Sequence, residues 1–235
     1  MKRYALLNLL CFFIAINMYS QQYMDGQMTA QVQNAYHKVL GLSRESTPLE
    51  ENIVGTQYFN EDFTIGQLYM NSKKYGKKIP LRYNAYVDDI EIELNNQISF
   101  IKKLTDLTAT INNETYTLKS FYTKEDIVES GYLIELYITD SLKLYKQTKK
   151  VFKEGRVAQT SLTTSTPPKL VDYIYYYIQL NETVLPQKIK KSKKEISSIF
   201  PTHKTEIKKY LKENNVNIKN EASIIALCKY YSSLN

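Results

Sequence analysis

The sequence predicts a mainly β fold with a C-terminal α segment, arranged as a curved antiparallel meander or half-barrel capped by about three short helices. Apolar and polar residues alternate from Pro80 to Leu94, which is the period of a half-buried strand. Turn-forming residues divide positions 53–190 into about ten such short segments. From Ser192 onward, the spacing of apolar residues becomes helical.

The bulk composition is that of an ordinary globular protein. The chain has 235 residues, of which 43% are hydrophobic and 23% are charged, and 21 of them are tyrosine. Tyrosine favours strands, so its abundance indicates a tyrosine-rich sheet. The formal net charge of +7 is spread along the chain, whereas a nucleic-acid-binding protein concentrates its basic residues on one face. We therefore expect no nucleic-acid partner.

Residues 1–20 have the organisation of a secretory signal peptide. Lys2 and Arg3 precede an apolar run that is too short to span a bilayer comfortably, and the small residue Ser20 follows it. Cleavage near Ser20 would deliver the protein to the periplasm or the medium, with no transmembrane span. It would also leave Cys228 as the remaining cysteine, so no internal disulfide is expected. Residues 21–52 are interpreted as a loosely ordered lead-in.

Residues 53–190 are predicted to form an antiparallel β domain around a central hairpin. A two-residue turn at Asp88-Asp89 would place Tyr83 opposite Leu94 and keep one face of the hairpin apolar. Something must cover that face, and the prediction is an apolar ligand or a partner protein. The residues expected to face it are Leu81, Tyr83, Ala85, Val87, Ile90, Ile92 and Leu94.

Further turn signals place the other strands. Strands are predicted at 53–59 and 64–70, and Lys73 to Lys78 is interpreted as a turn leading into the central hairpin. Asn112-Asn113 tolerates positive φ and predicts a tight hairpin that sets Ala109 opposite Tyr116. Strands are also predicted around Asp140-Ser141, and 160–168 forms a polar loop before the strand at 169–180.

Residues 191–235 are predicted to form a helical cap on the sheet. Ser192 and Glu195 have the spacing of a capping box, and Pro201 ends the first helix. Asn220 is expected to cap the last helix, whose apolar stripe includes Leu227 and Cys228. In that stripe Cys228 is a small core residue and not a nucleophile.

Few residues point to chemistry. His37 and His203 have no histidine or cysteine neighbours, so no metal site and no cofactor are predicted. Four carboxylates of the central hairpin could act as acid and base, although their strand face favours solvent exposure and an ion pair between Arg82 and Glu93. These are Asp88, Asp89, Glu91 and Glu93. A basic run could bind lipid phosphates or acidic glycans, or it could be the solvated start of a helix. It consists of Lys188, Lys190, Lys191, Lys193 and Lys194.

Several stretches resemble uncharacterised secreted proteins widespread in Bacteroidota. They are GTQYFNEDFTIGQLY from Gly55, IPLRYNAYVDDIEI from Ile79, PPKLVDYIYYYIQL, KIKKSKKEI and EASIIALCKYYSSL. The resemblance covers roughly residues 53–235 and departs at 155–168, where this chain is rich in threonine and serine. It implies export and a coherent fold. Because those proteins have no established activity, it implies no catalytic residue.

The leading hypothesis is an exported, non-enzymatic envelope or secreted protein that binds an apolar ligand or another envelope protein through its curved sheet. The alternative is a glycan-processing enzyme that uses the hairpin carboxylates. A third hypothesis is an interaction module that acts through the basic run. An open apolar cavity would favour the ligand carrier, two carboxylates facing each other in a cleft would favour the enzyme, and a filled core would favour protein interaction.

Overall fold

The structure is a computed structural model, and it describes residues 36, 38–41, 52–94, 97–124, 127–160, 162, 164–190 and 192–234. The predicted signal peptide at 1–20 lies outside the described residues. So do most of the lead-in at 21–52, His37 and Lys191.

The described part of the chain is mainly β, with three helices at its C-terminal end. Ten strands form one sheet. Their bounds are β1 Thr64–Met70, β2 Lys73–Asn84, β3 Asp89–Leu94, β4 Gln97–Phe100, β5 Leu107–Ile111, β6 Glu114–Lys124, β7 Ile127–Ile138, β8 Lys143–Lys153, β9 Lys169–Gln179 and β10 Gln187–Lys188.

The order of the strands differs from a simple serial meander. Strands β1–β4 and β5–β10 each follow sequence order, and the two runs join where β1 pairs with β5. Strand β10 pairs antiparallel with β9 and parallel with β6, at Gln187 and Tyr122. The sheet is therefore mixed, because this last pairing is parallel whereas the other strand pairs are antiparallel.

The central hairpin forms, but its predicted register is wrong. Tyr83 pairs with Ile90 and not with Leu94, because the turn occupies residues 85–88. The Asn84 side chain stabilises this turn, since its Oδ1 accepts hydrogen bonds from the backbone N–H groups of Tyr86 and Val87 at 3.1 and 3.3 Å. Asp88 then takes a left-handed conformation with φ of 58°.

Two segments before the hairpin also differ from the prediction. Residues 53–59 form isolated bridges, Val54 with Lys169 and Tyr58 with Asn84, instead of a strand. Residues 73–78 belong to β2 and not to a turn, because the chain reverses earlier, at Asn71-Ser72, where both φ angles are positive. The hairpin at Asn112-Asn113 is confirmed, with positive φ at both residues and Ala109 opposite Tyr116.

The described part of the lead-in packs against the sheet. Tyr36 and Val39 are buried in the core, and the Tyr36 hydroxyl donates a hydrogen bond of 2.5 Å to the Lys77 carbonyl. Leu40 forms an antiparallel bridge with Ile101, next to the end of β4. These contacts hold the described part of the lead-in against the sheet, and the loose order of 21–52 stays a prediction.

Three buried clusters fill the described structure. The first lies under β1–β7 and includes the apolar residues of the central hairpin. The second lies between the helices and strands β8 and β9, and includes Ile189, which follows β10. The third, on the opposite face of β6–β9, consists of Phe121, Leu133, Tyr145 and Tyr177. Alternation along each strand explains why one sheet supplies separate clusters on its two faces.

Three helices form the predicted C-terminal segment: α1 Lys193–Ile199, α2 Lys204–Glu213 and α3 Glu221–Ser232. Both predicted caps are present, since Ser192 accepts from the Glu195 N–H and Asn220 accepts from the Ser223 N–H. Among the described residues, no helix combines the length and apolar character needed to cross a bilayer.

The helix–sheet cluster should be important for stability. Leu227 is 1% exposed, so we expect Leu227→Ala to lower the free energy of unfolding by about 2–5 kcal/mol through lost contacts and a cavity. Leu162, which is 95% exposed, supplies the matched control, and Leu162→Ala should have little effect. Urea unfolding of the two variants measures the difference. Equal midpoints would contradict the assigned packing of α3.

Candidate functional site

The structure places the residues predicted to face a ligand mainly within the protein's own core. Five of the seven are buried, Leu94 packs at the edge of that cluster, and Val87 is 41% exposed in the turn. Tyr36, Leu68 and Tyr116 belong to the same cluster. The protein's own side chains thus supply the cover that was expected from a ligand or partner.

The opposite face of the hairpin, predicted to face solvent, contains a buried ion pair. Glu91 is 0% exposed, and its Oε2 accepts hydrogen bonds from Nε and Nη2 of Arg82 at 3.0 and 2.6 Å. Its Oε1 accepts from Asn84 Nδ2 at 2.9 Å and from the Tyr58 hydroxyl at 3.1 Å. The predicted exposure of Glu91 is wrong. The predicted pairing of Arg82 with Glu93 fails for the same reason as the register, because Arg82 lies opposite Glu91.

Aromatic rings cover this ion pair. The Arg82 guanidinium carbon lies 3.9 Å from the centre of the Tyr58 ring and 4.1 Å from that of Phe63. Burial and the nearby Glu91 carboxylate raise the pKa of the Tyr58 hydroxyl to about 12, so it remains a hydrogen-bond donor at neutral pH. Because each oxygen of Glu91 is already bonded to these donors, the arrangement holds the carboxylate in place and does not present it as an acid or base.

Asp88 has a comparable structural role. Its carboxylate accepts hydrogen bonds from the Tyr83 hydroxyl at 2.7 Å, the Tyr132 backbone N–H at 3.1 Å and Lys103 Nζ at 3.2 Å. Burial raises the pKa of Asp88, and the hydrogen bond from Tyr83 and the charge of Lys103 act in the opposite direction. Gly131 lets the carboxylate approach β7, since a Cβ there would lie 2.7 Å from Asp88 Oδ2.

The remaining two carboxylates do not complete a catalytic pair. Asp89 is mostly buried and lies 3.4 Å from Lys103 Nζ, whereas Glu93 is half-buried on β3. The side chains of Asp88 and Glu91 are held by separate groups of donors. A small pocket of about 110 Å³ is lined by Arg82 and Tyr83, but neither Asp88 nor Glu91 lines it. The four hairpin carboxylates therefore do not form a pair that faces across a cleft.

Part of the basic run lines a larger cleft between β6, β10 and α1. Its volume is about 360 Å³, which is within the range of small-molecule sites. Lys188 and Lys190 from the basic run meet Lys124 there, whereas Lys193 and Lys194 begin α1. We name this the β10 cleft, lined by Tyr122, Thr123, Lys124, Gln187, Lys188, Lys190, Glu195, Ser198 and Ile199.

The electrostatics of the β10 cleft favour an anion. Burial lowers the pKa of Lys188, Glu129 raises it, and the positive charges of Lys149 and Lys124 lower it further. Glu195 is the acidic residue in the lining, and its carboxylate already accepts from the Ser192 hydroxyl at 2.6 Å and lies 3.8 Å from Lys190. The three lysines therefore exceed the acidic charge within the cleft.

Strand pairing assembles a second basic surface that the sequence does not reveal. Lys149, Lys153 and Lys169 share one face of β8 and β9 with Tyr173 and Tyr175, and Lys153 lies directly opposite Lys169. Lys188 joins them from β10, where its Nζ lies 3.3 Å from the centre of the Tyr175 ring. We name this the basic face, comprising Lys149, Lys153, Lys169, Lys188, Tyr173 and Tyr175. Predicting this surface requires the register between β8 and β9. That register cannot be read from the sequence pattern, because a long loop separates the two strands.

Other reactive groups form no site in the described ranges. No group of three or more histidine, cysteine, aspartate or glutamate side chains there could hold a metal ion. Burial raises the pKa of the Cys228 thiol to about 12, as suits a core residue, and His203 lies near the Tyr231 ring at the start of α2.

No family model matches the chain, and no curated protein or solved structure shows significant similarity to it.

Proposed function

We propose that the protein is an exported, non-enzymatic binding protein that holds an anionic group in the β10 cleft. The convergence of Lys124, Lys188 and Lys190 on a cleft of ligand-binding size is the observation that carries the proposal. Export rests on the signal-peptide pattern of residues 1–20. A non-enzymatic role is supported by the hairpin carboxylates, because Asp88 and Glu91 are each held by several donors.

The polar lining also determines the kind of ligand. Ammonium groups form short, charge-assisted hydrogen bonds with carboxylate, phosphate or sulfate oxygens, and the neighbouring Gln187 and Ser198 offer neutral donors. The apolar ligand expected from the central hairpin is less well supported, since the protein's own core covers that face. An anionic small molecule, or an anionic group of a larger one, is therefore the proposed ligand.

We further propose that the sheet curls between β6 and β10. The double pairing of β10, with β9 on one side and β6 on the other, supports this curl. A strand at the end of a flat sheet has one neighbour, whereas a strand with two such neighbours closes the run back on itself. The β10 cleft would then lie at the closing seam, beside the helices that cap the sheet.

Binding of small anions tests the proposed function. We expect galacturonate or inorganic phosphate to bind the mature protein, and Lys124→Gln with Lys190→Gln to weaken binding about tenfold or more by removing two charged donors. Isothermal titration calorimetry at low salt measures both affinities. Lys73→Gln with Lys74→Gln, on exposed positions of β2, is the control of equal charge change. Absence of anion binding, or equal affinities for the two double variants, would contradict the proposal.

A further inference from the structure

The basic face carries a feature that costs stability. Lys153 and Lys169 are direct cross-strand partners, and like charges in that position repel one another. Lys149 lies on the same face of β8, four residues from Lys153, with Val151 between them. Among the described residues, none of these lysines forms an ion pair with a carboxylate. An anionic partner would supply the missing compensation.

The basic face continues into the β10 cleft. Lys188 belongs to both, because it lines the cleft and its ammonium group lies over the Tyr175 ring. The surface thus extends from the cleft across β10 and β9 to Lys153, with Tyr173 and Tyr175 between the cations. This length suits a chain that carries several negative charges better than a single anion.

The two tyrosines of the basic face lie beside each other and beside lysines. Their rings are stacked at a centroid distance of 5.9 Å with an interplanar angle of 19°. Lys188 covers a face of Tyr175 at 3.3 Å, and Lys153 Nζ lies 5.8 Å from the centre of the Tyr173 ring. A nucleobase could not stack on the covered face of Tyr175 without displacing Lys188, whereas proteins that bind single strands expose aromatic faces to the bases.

From these observations we infer that the protein binds an acidic polysaccharide, whose chain runs from the β10 cleft along the basic face. A uronate chain offers a carboxylate on each sugar to the lysines and hydroxyl groups to the two tyrosines. The inference rests on the proposed function, since it names the ligand class and extends the site. Residues on paired strands hold the lysines at fixed spacing, which favours a regular polymer over an irregular acidic surface.

Polygalacturonate is the probe, and the galacturonate monomer is its reference. We expect the polymer to bind at least about a hundredfold more tightly than the monomer, because several sites on one chain engage together. Lys149→Gln, Lys153→Gln and Lys169→Gln combined should weaken polymer binding about tenfold or more and leave monomer binding in the cleft unchanged. The same triple variant should unfold at an equal or higher temperature, because the repulsion between Lys153 and Lys169 is removed.

A control with the same change in charge is available on β2, where Lys73, Lys74 and Lys78 are exposed. Replacing these three by glutamine removes the same number of positive charges away from the basic face. The affinity for the polymer should then stay within about twofold of that of the original protein. Single-stranded DNA and vesicles of phosphatidylglycerol serve as competing polyanions and should bind more weakly than polygalacturonate.

The outcomes separate this inference from the proposed function. Equal polymer affinities for the two triple variants, no gain of polymer over monomer, or tighter binding of DNA or vesicles would overturn the polysaccharide inference alone. Failure of the monomer and the polymer to bind at all would overturn both the inference and the proposed function.

Discussion

Arg82→Ala is expected to lower the free energy of unfolding by about 3–5 kcal/mol, because it leaves the buried Glu91 carboxylate without its cation. Removing the arginine also empties the space between the Tyr58 and Phe63 rings. Urea unfolding measures the loss, and Arg156→Ala, at an exposed arginine in the loop between β8 and β9, is the matched control.

The double variant Arg82→Met with Glu91→Leu separates the effect of losing the ion pair from the effect of losing side-chain packing. Replacing both charges by apolar groups removes the unpaired carboxylate, so the double variant should be more stable than Arg82→Ala alone. If Arg82→Ala unfolded at the same urea concentration as Arg156→Ala, Glu91 could not be buried as the structure places it.

Alkaline pH should unfold the protein steeply. Burial raises the pKa values of Tyr83, Tyr116 and Tyr132 above the ordinary tyrosine value of about 10, and nearby carboxylates raise them further. The unfolded chain then releases these protons near pH 10 while the folded protein retains them. The contribution of these tyrosines to the free energy of unfolding is therefore fully present below pH 10 and is lost as the pH rises above it. The loss is up to about 1.4 kcal/mol per pH unit for each tyrosine, or roughly 4 kcal/mol per pH unit for the three.

Unfolding by urea at a series of pH values, followed by circular dichroism and tyrosinate absorbance, tests this expectation. Tyr132→Phe should make the loss of stability above pH 10 less steep, because one titrating group is removed from the core. Tyr86→Phe, at an exposed turn position, should leave the profile unchanged. Ionisation of all tyrosines near pH 10 without unfolding would show that they are accessible to solvent.

Local patterns predict the parts of this fold that local chemistry determines. Asn112-Asn113 accepts the left-handed backbone of a tight turn, and the polar caps at Ser192 and Asn220 satisfy helix N–H groups a few residues away. The central hairpin departs from its alternating pattern because its turn is held both by the nearby Asn84 side chain and by residues distant in sequence. The Ala85 N–H donates to the Gln57 carbonyl, and the Ala85 carbonyl accepts from the Lys150 N–H.

The candidate sites were harder to predict for the same reason. Alternation correctly places Glu91 opposite the apolar face, but it cannot show that Tyr58 and Phe63 fold over that side. The basic run at 188–194 identifies Lys188 and Lys190, whereas Lys124 reaches the cleft through the pairing of β10 with β6. The basic face depends on the pairing of β8 with β9 across a loop of irregular structure.

The contact of the lead-in with β4 has a consequence for the solubility of the protein. Strand β4 ends the order of the sheet, and an uncovered terminal strand is a template for pairing with another molecule. Beside it, the Gly41 N–H donates to the Phe100 carbonyl, and the Lys102 N–H donates to the Val39 carbonyl. These hydrogen bonds occupy groups that a second sheet would need, so residues 39–41 protect this edge from growth into aggregates.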